Sequence, residues 1–130
     1  MTTPKVHPVR LQRSREKGAR LVSPNGLPIV YVGRPSMWRN QYAITRKGLC
    51  WYVGTYFGKR FETLKYCHSD NEARLLAVRL FREDLLSGKS DLTLEQVRIL
   101  LMNSNLSCWC RLGDPCHADT LLCVARGIYQ

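Results

Sequence analysis

From Ser69 to Gly88 the chain carries one long helical pattern, and the segments on either side have to fold around it. Ser69 followed three residues later by Glu72 is a capping box, the pairing that opens a helix. Ala73, Leu76, Ala77, Leu80 and Phe81 then recur at helical spacing until Ser87-Gly88 stops the run. Upstream the period changes. Trp51 to Phe57 is aromatic and β-branched, and Gly58-Lys59 turns it into Arg60 to Leu64, which predicts a hairpin with glycine first in a two-residue loop. Before that, Ser23-Pro24-Asn25-Gly26 is a turn, and Leu27 to Val32 is a short apolar strand ended by Gly33-Arg34-Pro35.

Downstream, Thr93 and Gln96 make a second capping box for a shorter helix through Val97, Leu100 and Leu101. Leu106 to Cys110 reads as a strand. Asp114-Pro115 then predicts a last helix, with aspartate as N-cap and proline at the first helical position. Strand, helices, strand and helix imply a small single α/β domain over residues 21–130, with a mostly parallel sheet flanked by helices and an inserted β-hairpin. Residues 1–20, with Pro4 and Pro8 among basic side chains, read as an extended basic arm.

At 130 residues the chain fits one domain with a core of its own. No stretch has the roughly 18 apolar residues that a membrane span needs, and the opening residues lack the apolar centre of a secretion signal. The expectation is therefore a reducing compartment, where the six cysteines act as thiols or metal ligands before disulfides.

The net charge of +10 is unevenly distributed. Residues 1–65 hold thirteen lysines and arginines against only Glu16 and Glu62, whereas residues 66–130 hold seven against eight acids. Lys5, Arg10, Arg13, Arg15, Lys17 and Arg20 fall within the arm. A one-sided positive field favours the phosphates of a nucleotide or a nucleic acid, and an acidic protein is the other partner it suits. A solvated basic tail that only confers solubility is the plainer reading.

Cys108-Trp109-Cys110, then Cys116-His117 with Asp119, place three thiols, an imidazole and a carboxylate within twelve positions. Three readings stay open. Cys108, Cys110, Cys116 and His117 supply the four ligands of a zinc site, although adjacent residues on a helix diverge by about 100°. Alternatively Cys116, in the first turn of a helix opened by Pro115, has a thiolate favoured by the helix dipole, with His117 lending a proton or a charge and Asp119 orienting the ring. Finally, Cys108 and Cys110 pack as small apolar residues, with Trp109 on the opposite face of the sheet and Cys123 in the core.

Several segments also resemble the DUF4326 family of small bacterial and phage proteins. Val9-Arg10-Leu11-Gln12 with Arg15 and Lys17-Gly18 is similar to its basic opening motif. Tyr31-Val32-Gly33-Arg34 with Trp38 and Asn40 is similar to its Y-[IV]-G-R-x-x-x-W-G-N segment, with Arg39 where glycine is usual and Gln41 where proline is usual. Leu106-Ser107-Cys108-Trp109-Cys110 with Cys116-His117-Ala118-Asp119 matches its ending. The resemblance implies a compact α/β fold and a shared site in the cytoplasm of a bacterium or a phage-infected host, and it carries no settled reaction.

Two functions follow as expectations. In the first, the chain is a nucleotide- or nucleic-acid-directed enzyme or ligand-binding domain. Arg10, Arg15, Lys17 and Arg34 hold phosphate, Trp38 stacks on a base, Asn40 hydrogen-bonds it, and the Cys108, Cys110, Cys116 and His117 cluster is the reactive centre. In the second it is a non-catalytic basic module with structural or zinc-binding cysteines. Trp51, Tyr52, Tyr56 and Phe57 beside Lys59 and Arg60 suit single-stranded nucleic acid, although strand alternation buries half of such a row.

Overall fold

In the computed structural model, which describes residues 6–128, the long helical pattern forms α1 (Asp70–Ser87). Pro4 and Lys5 of the expected arm lie outside the described residues. Ser69 Oγ accepts the Glu72 amide at 3.1 Å, and the Glu72 carboxylate turns back onto the His68 amide at 3.0 Å. Gly88 closes the helix in the left-handed conformation (φ 82°).

α1 serves two cores. Its first turns bury Ala73, Leu76 and Ala77 together with Val53 and Cys67. Its last turns bury Phe81 and Leu85 together with Val32, Leu106, Leu121 and Val124. At about 1.5 Å per residue the helix is about 27 Å long, enough to span both.

The second core packs on a three-stranded parallel sheet of β1 (Arg10–Gln12), β2 (Ile29–Tyr31) and β6 (Asn105–Cys108), in the order β1-β6-β2. β6 is central and buried at every position, pairing Leu106 with Arg10 on one side and with Val30 on the other. Residues 10–12, within the stretch read as an arm, thus belong to the sheet. α3 (His117–Ala125) packs on it, and α2 (Leu94–Leu101), which carries the Thr93–Gln96 capping box in full, packs against α3.

The other three strands, β3 (Ala43–Lys47), β4 (Cys50–Phe57) and β5 (Arg60–Cys67), form a separate antiparallel sheet in the order β3-β4-β5. The α/β class stands, but the mostly parallel sheet is corrected: half the strands are antiparallel. Consecutive strands joined by two-residue turns can only pair in that sense. The expected hairpin is present, with Phe57 opposite Arg60 across Gly58-Lys59, and it is extended to Cys67. β3 is additional, turning into β4 through Gly48-Leu49.

The last helix starts later than Asp114-Pro115 predicts. The Asp114 carboxylate accepts from Arg111 Nε at 3.2 Å instead of capping, and Cys116, extended at φ −148° and ψ 141°, is the N-cap. Cys123, expected in the core, is exposed, on the face of α3 that also carries the exposed Asp119 four residues earlier.

Beneath the parallel sheet a buried amide clasp fixes the register. Asn105 is fully buried. Its Oδ1 accepts from the Val9 amide and from Asn25 Nδ2, both at 3.0 Å, and its Nδ2 donates to Asn25 Oδ1 at 2.8 Å. Asn105→Ala takes the acceptor from the Val9 amide and removes the paired bonds to Asn25, which keeps its contacts with His7, Ser23 and Leu27. It is expected to lower stability by about 1–3 kcal/mol in urea unfolding. An unchanged midpoint would show that the clasp is neutral.

Candidate cysteine cleft

The C-terminal ends of the three parallel strands open into a cleft of about 520 Å³ between the two sheets. This is the edge at which open α/β sheets bind ligands. Tyr31, Gly33 and Arg34 reach it from the end of β2, Arg15 from the segment after β1, and Cys108, Trp109 and Cys110 from the end of β6. Cys116 and His117 enter at the start of α3. The antiparallel sheet and α1 close the far side with Tyr42, Ile44, Tyr56 and Arg74.

The three thiols converge. The Sγ atoms of Cys108, Cys110 and Cys116 all lie within 4.8 Å of one another, and the Cys108–Cys110 separation is 3.9 Å. Cys108 and Cys116 are buried and Cys110 is half-buried. Hydrogen bonding from Cys110, and then from Cys116, pulls the Cys108 thiol far below its ordinary value. The same contacts with Cys108 push Cys110 and Cys116 upward. The three thiols therefore titrate as one coupled group, in which hydrogen bonds from two of them favour ionisation of the third.

His117 plays a different part from the one its spacing suggests. Burial holds its imidazole below the ordinary value, so it is neutral. Nε2 lies 2.8 Å from the Val32 carbonyl, which can only accept, so the proton sits there. Nδ1 is left facing Cys116 Sγ at 3.8 Å. The ring also packs edge-on against Phe81. Asp119 does not orient this ring: its carboxylate pairs with Arg10 at 3.2 Å.

Arg10 lies outside the cleft lining, in a structural position. Its Nη2 donates to the carbonyls of Leu112, of Asp114 at 3.0 Å and of Arg111 at 3.2 Å, tying β1 to the loop that carries the cysteines. Lys17 is exposed and away from the cleft lining. Trp38 is buried in the core. Asn40 lines the cleft, but its amide is engaged: Nδ2 donates to the Ala77 carbonyl at 3.1 Å and Oδ1 accepts the Tyr42 amide at 2.9 Å.

Arg15 and Arg34 do line the cleft. Arg15 stacks 4.8 Å from the Trp109 ring, and Arg13 lies between Trp109 and Tyr31 at 5.1 and 4.6 Å. Trp109 therefore stands at the rim, not on the opposite sheet face, with Nε1 donating to Tyr31 Oη at 3.1 Å. Gly33 leaves room for this: a Cβ there would come within 2.5 Å of the Tyr31 hydroxyl. Arg34 Nη2 donates to the Asn40 carbonyl at 3.2 Å, and its guanidinium lies 5.9 Å from the Tyr56 ring. Of the expected aromatic row, Tyr56 and Phe57 are exposed and Trp51 and Tyr52 are half-buried.

Arg74 is a site residue that the sequence did not single out. It projects from α1 into the cleft while Asp70 holds its Nε at 2.9 and 3.0 Å. Its only signal was a basic side chain one position off the apolar stripe. Arg15, Arg34 and Arg74 thus line the cleft, with no carboxylate among the described residues that line it.

Fold and site together define a small α/β domain whose cationic, aromatic cleft ends on three converging thiols. The chain belongs to the DUF4326 family, described as a domain of unknown function, whose profile matches residues 11–127. Comparison with curated proteins and with solved structures found no match.

Tyr42 links the cleft wall to α1, donating its hydroxyl to Asp84 Oδ2. Burial first, and then the Asp84 carboxylate, push its phenol up to about 12. The unfolded chain releases this proton near pH 10 while the folded chain keeps it. The stabilisation is therefore complete below about pH 10 and is lost as the pH rises toward 12. Urea midpoints measured from pH 9 to 11.5 should show the advantage of wild type over Tyr42→Phe shrinking across that window. A constant difference would mean that the phenol is not perturbed.

Proposed function

We propose that this protein binds a nucleotide or a nucleic-acid component in the cysteine cleft, presenting one end of it to the Cys108–Cys110–Cys116 trio. The observation that carries this reading is the lining itself: three guanidiniums, four aromatic rings and no carboxylate among the described residues, arranged at the C-terminal edge of a parallel sheet. Guanidiniums pair bidentately with phosphate oxygens, and exposed rings stack on bases. Trp109, Tyr31 and Tyr56 are the stacking surfaces, and Arg15, Arg34 and Arg74 are the anion holders.

The cleft volume suits a mononucleotide or the end of a strand; small-molecule sites run from about 300 to 1,000 Å³. The basic first half of the chain adds long-range attraction, so association is expected to weaken with salt. A non-catalytic basic module would use the same charge without the cleft.

A panel of nucleotides and short oligonucleotides, screened by thermal shift and confirmed by titration calorimetry at low salt, tests the reading. Arg34→Gln and Trp109→Ala are each expected to weaken the ligand by about 1–3 kcal/mol, or roughly 5- to 150-fold. Lys89→Gln, outside the cleft, should leave it unchanged. Binding that responds to none of the cleft variants, or no binding by any member of the panel, would refute the proposal.

A further inference from the structure

We propose that Cys108, Cys110 and Cys116 form a three-thiolate site for a single soft divalent metal ion such as zinc, with the fourth tetrahedral position open to the cleft. The argument is geometric. A zinc–sulfur bond of about 2.3 Å in a tetrahedron puts neighbouring sulfurs about 3.8 Å apart. Cys108 and Cys110 are already 3.9 Å apart, and all three sulfurs fall within 4.8 Å of one another. One ion can draw them in by a shift of under about 1 Å, within what side-chain rotation supplies. A [4Fe–4S] cluster binds each cysteine through a different iron, and so suits sulfurs held further apart than these, while a [2Fe–2S] cluster divides four cysteines between two irons.

The backbone explains why the trio converges despite lacking the C-x2-C spacing of common zinc motifs. Cys108 and Cys110 flank a residue at the end of β6, where Trp109 turns outward to the rim. Cys116 is delivered from the far side by its extended N-cap conformation. Arg10 holds the intervening loop by three carbonyls, so the two approaches stay in register.

The fourth position is not filled by His117. Its Nδ1 lies 3.8 Å from Cys116 Sγ but is not among the ligand atoms that converge within 4.8 Å of one another, which are the three sulfurs. The Val32 carbonyl and Phe81 hold the ring where it is. All three cysteines line the cleft, so a ligand arriving there has access to the remaining position. Three thiolates on a divalent ion leave one net negative charge, which Arg74 and the other guanidiniums of the lining offset. Three protein ligands and one exchangeable ligand is the composition of catalytic zinc sites, whereas structural sites close with four. The identity of the incoming group, an anionic oxygen or sulfur of the bound nucleotide component, rests on the cleft reading above; the metal site itself does not.

The full chain, purified under reducing conditions and titrated with Co²⁺ alone, tests the metal without reference to any nucleotide. The expected result is one cobalt per chain with an intense thiolate-to-cobalt charge-transfer band. Cys108→Ser, Cys110→Ser and Cys116→Ser should each weaken cobalt by more than the roughly 10- to 100-fold that losing an outer-shell partner costs. His117→Gln should retain one cobalt. Added cyanide should shift the ligand-field bands of the wild-type complex, as an open position requires. No uptake by folded wild type, or uptake indifferent to the three serine variants, overturns the site. Ligand-field bands unmoved by cyanide, together with loss of cobalt in His117→Gln, overturn the open position in favour of a closed four-ligand centre. Cobalt binding without nucleotide binding would leave the metal inference standing and sink the cleft reading alone.

Discussion

The burial of β6 governs the rest of the molecule. A four-residue strand with no exposed position must satisfy every backbone group through its neighbours, so β1 and β2 have to lie on either side of it. The Asn105 clasp fixes where they lie along it, because a one-residue slip would separate buried amide partners. Once the register is set, Cys108 necessarily ends the strand at the edge where Tyr31 and Arg34 also emerge. The site is thus the geometric consequence of a polar contact at the opposite end of the same strand.

A cleft lined by guanidiniums with no carboxylate is electrostatically unfavourable when empty, and the fold offsets this at each cation separately. Arg74 leans on Asp70, Arg34 on the Asn40 carbonyl and the Tyr56 ring, and Arg15 on the face of Trp109. None of these partners is a tight buried ion pair, so each guanidinium keeps donors to offer. α1 makes the compromise rigid, since one helix is packed into both cores and carries Arg74 in its first turns.

Much of this was legible in the residues. The N-cap at Ser69 and the capping box at Thr93 are local signals and they hold, as does the glycine-led turn after Phe57, although the Glu72 carboxylate takes the His68 amide and not that of Ser69. The cysteine cluster was placed at a strand–loop–helix edge because each step has its own punctuation. The failures are contests that other partners won, some of them far away in sequence. Asp114 has the local chemistry of an N-cap, yet its carboxylate is taken by Arg111 and its carbonyl by Arg10, a hundred residues away in sequence. Asp119 is likewise claimed by Arg10 rather than by His117. β3 passed unnoticed because Ala43–Lys47 is short and half polar, and becomes a strand by pairing with β4. Arg74 gave no warning, since a helical arginine becomes a site residue only when something packs opposite it.

The pairing of Arg10 with Leu106 has a temporal side. A ribosome emits β1 first, and the strand it must embrace comes after some ninety further residues have left the exit tunnel. Through that interval Arg10 has no loop to grip, and Cys108 and Cys116 have not yet been made. Closure of so long a loop is slow, and here it is also what brings the sulfurs together. The thiol trio is in this sense a late-born structure: a chain whose sheet has not zipped holds six ordinary cysteines and no centre at all.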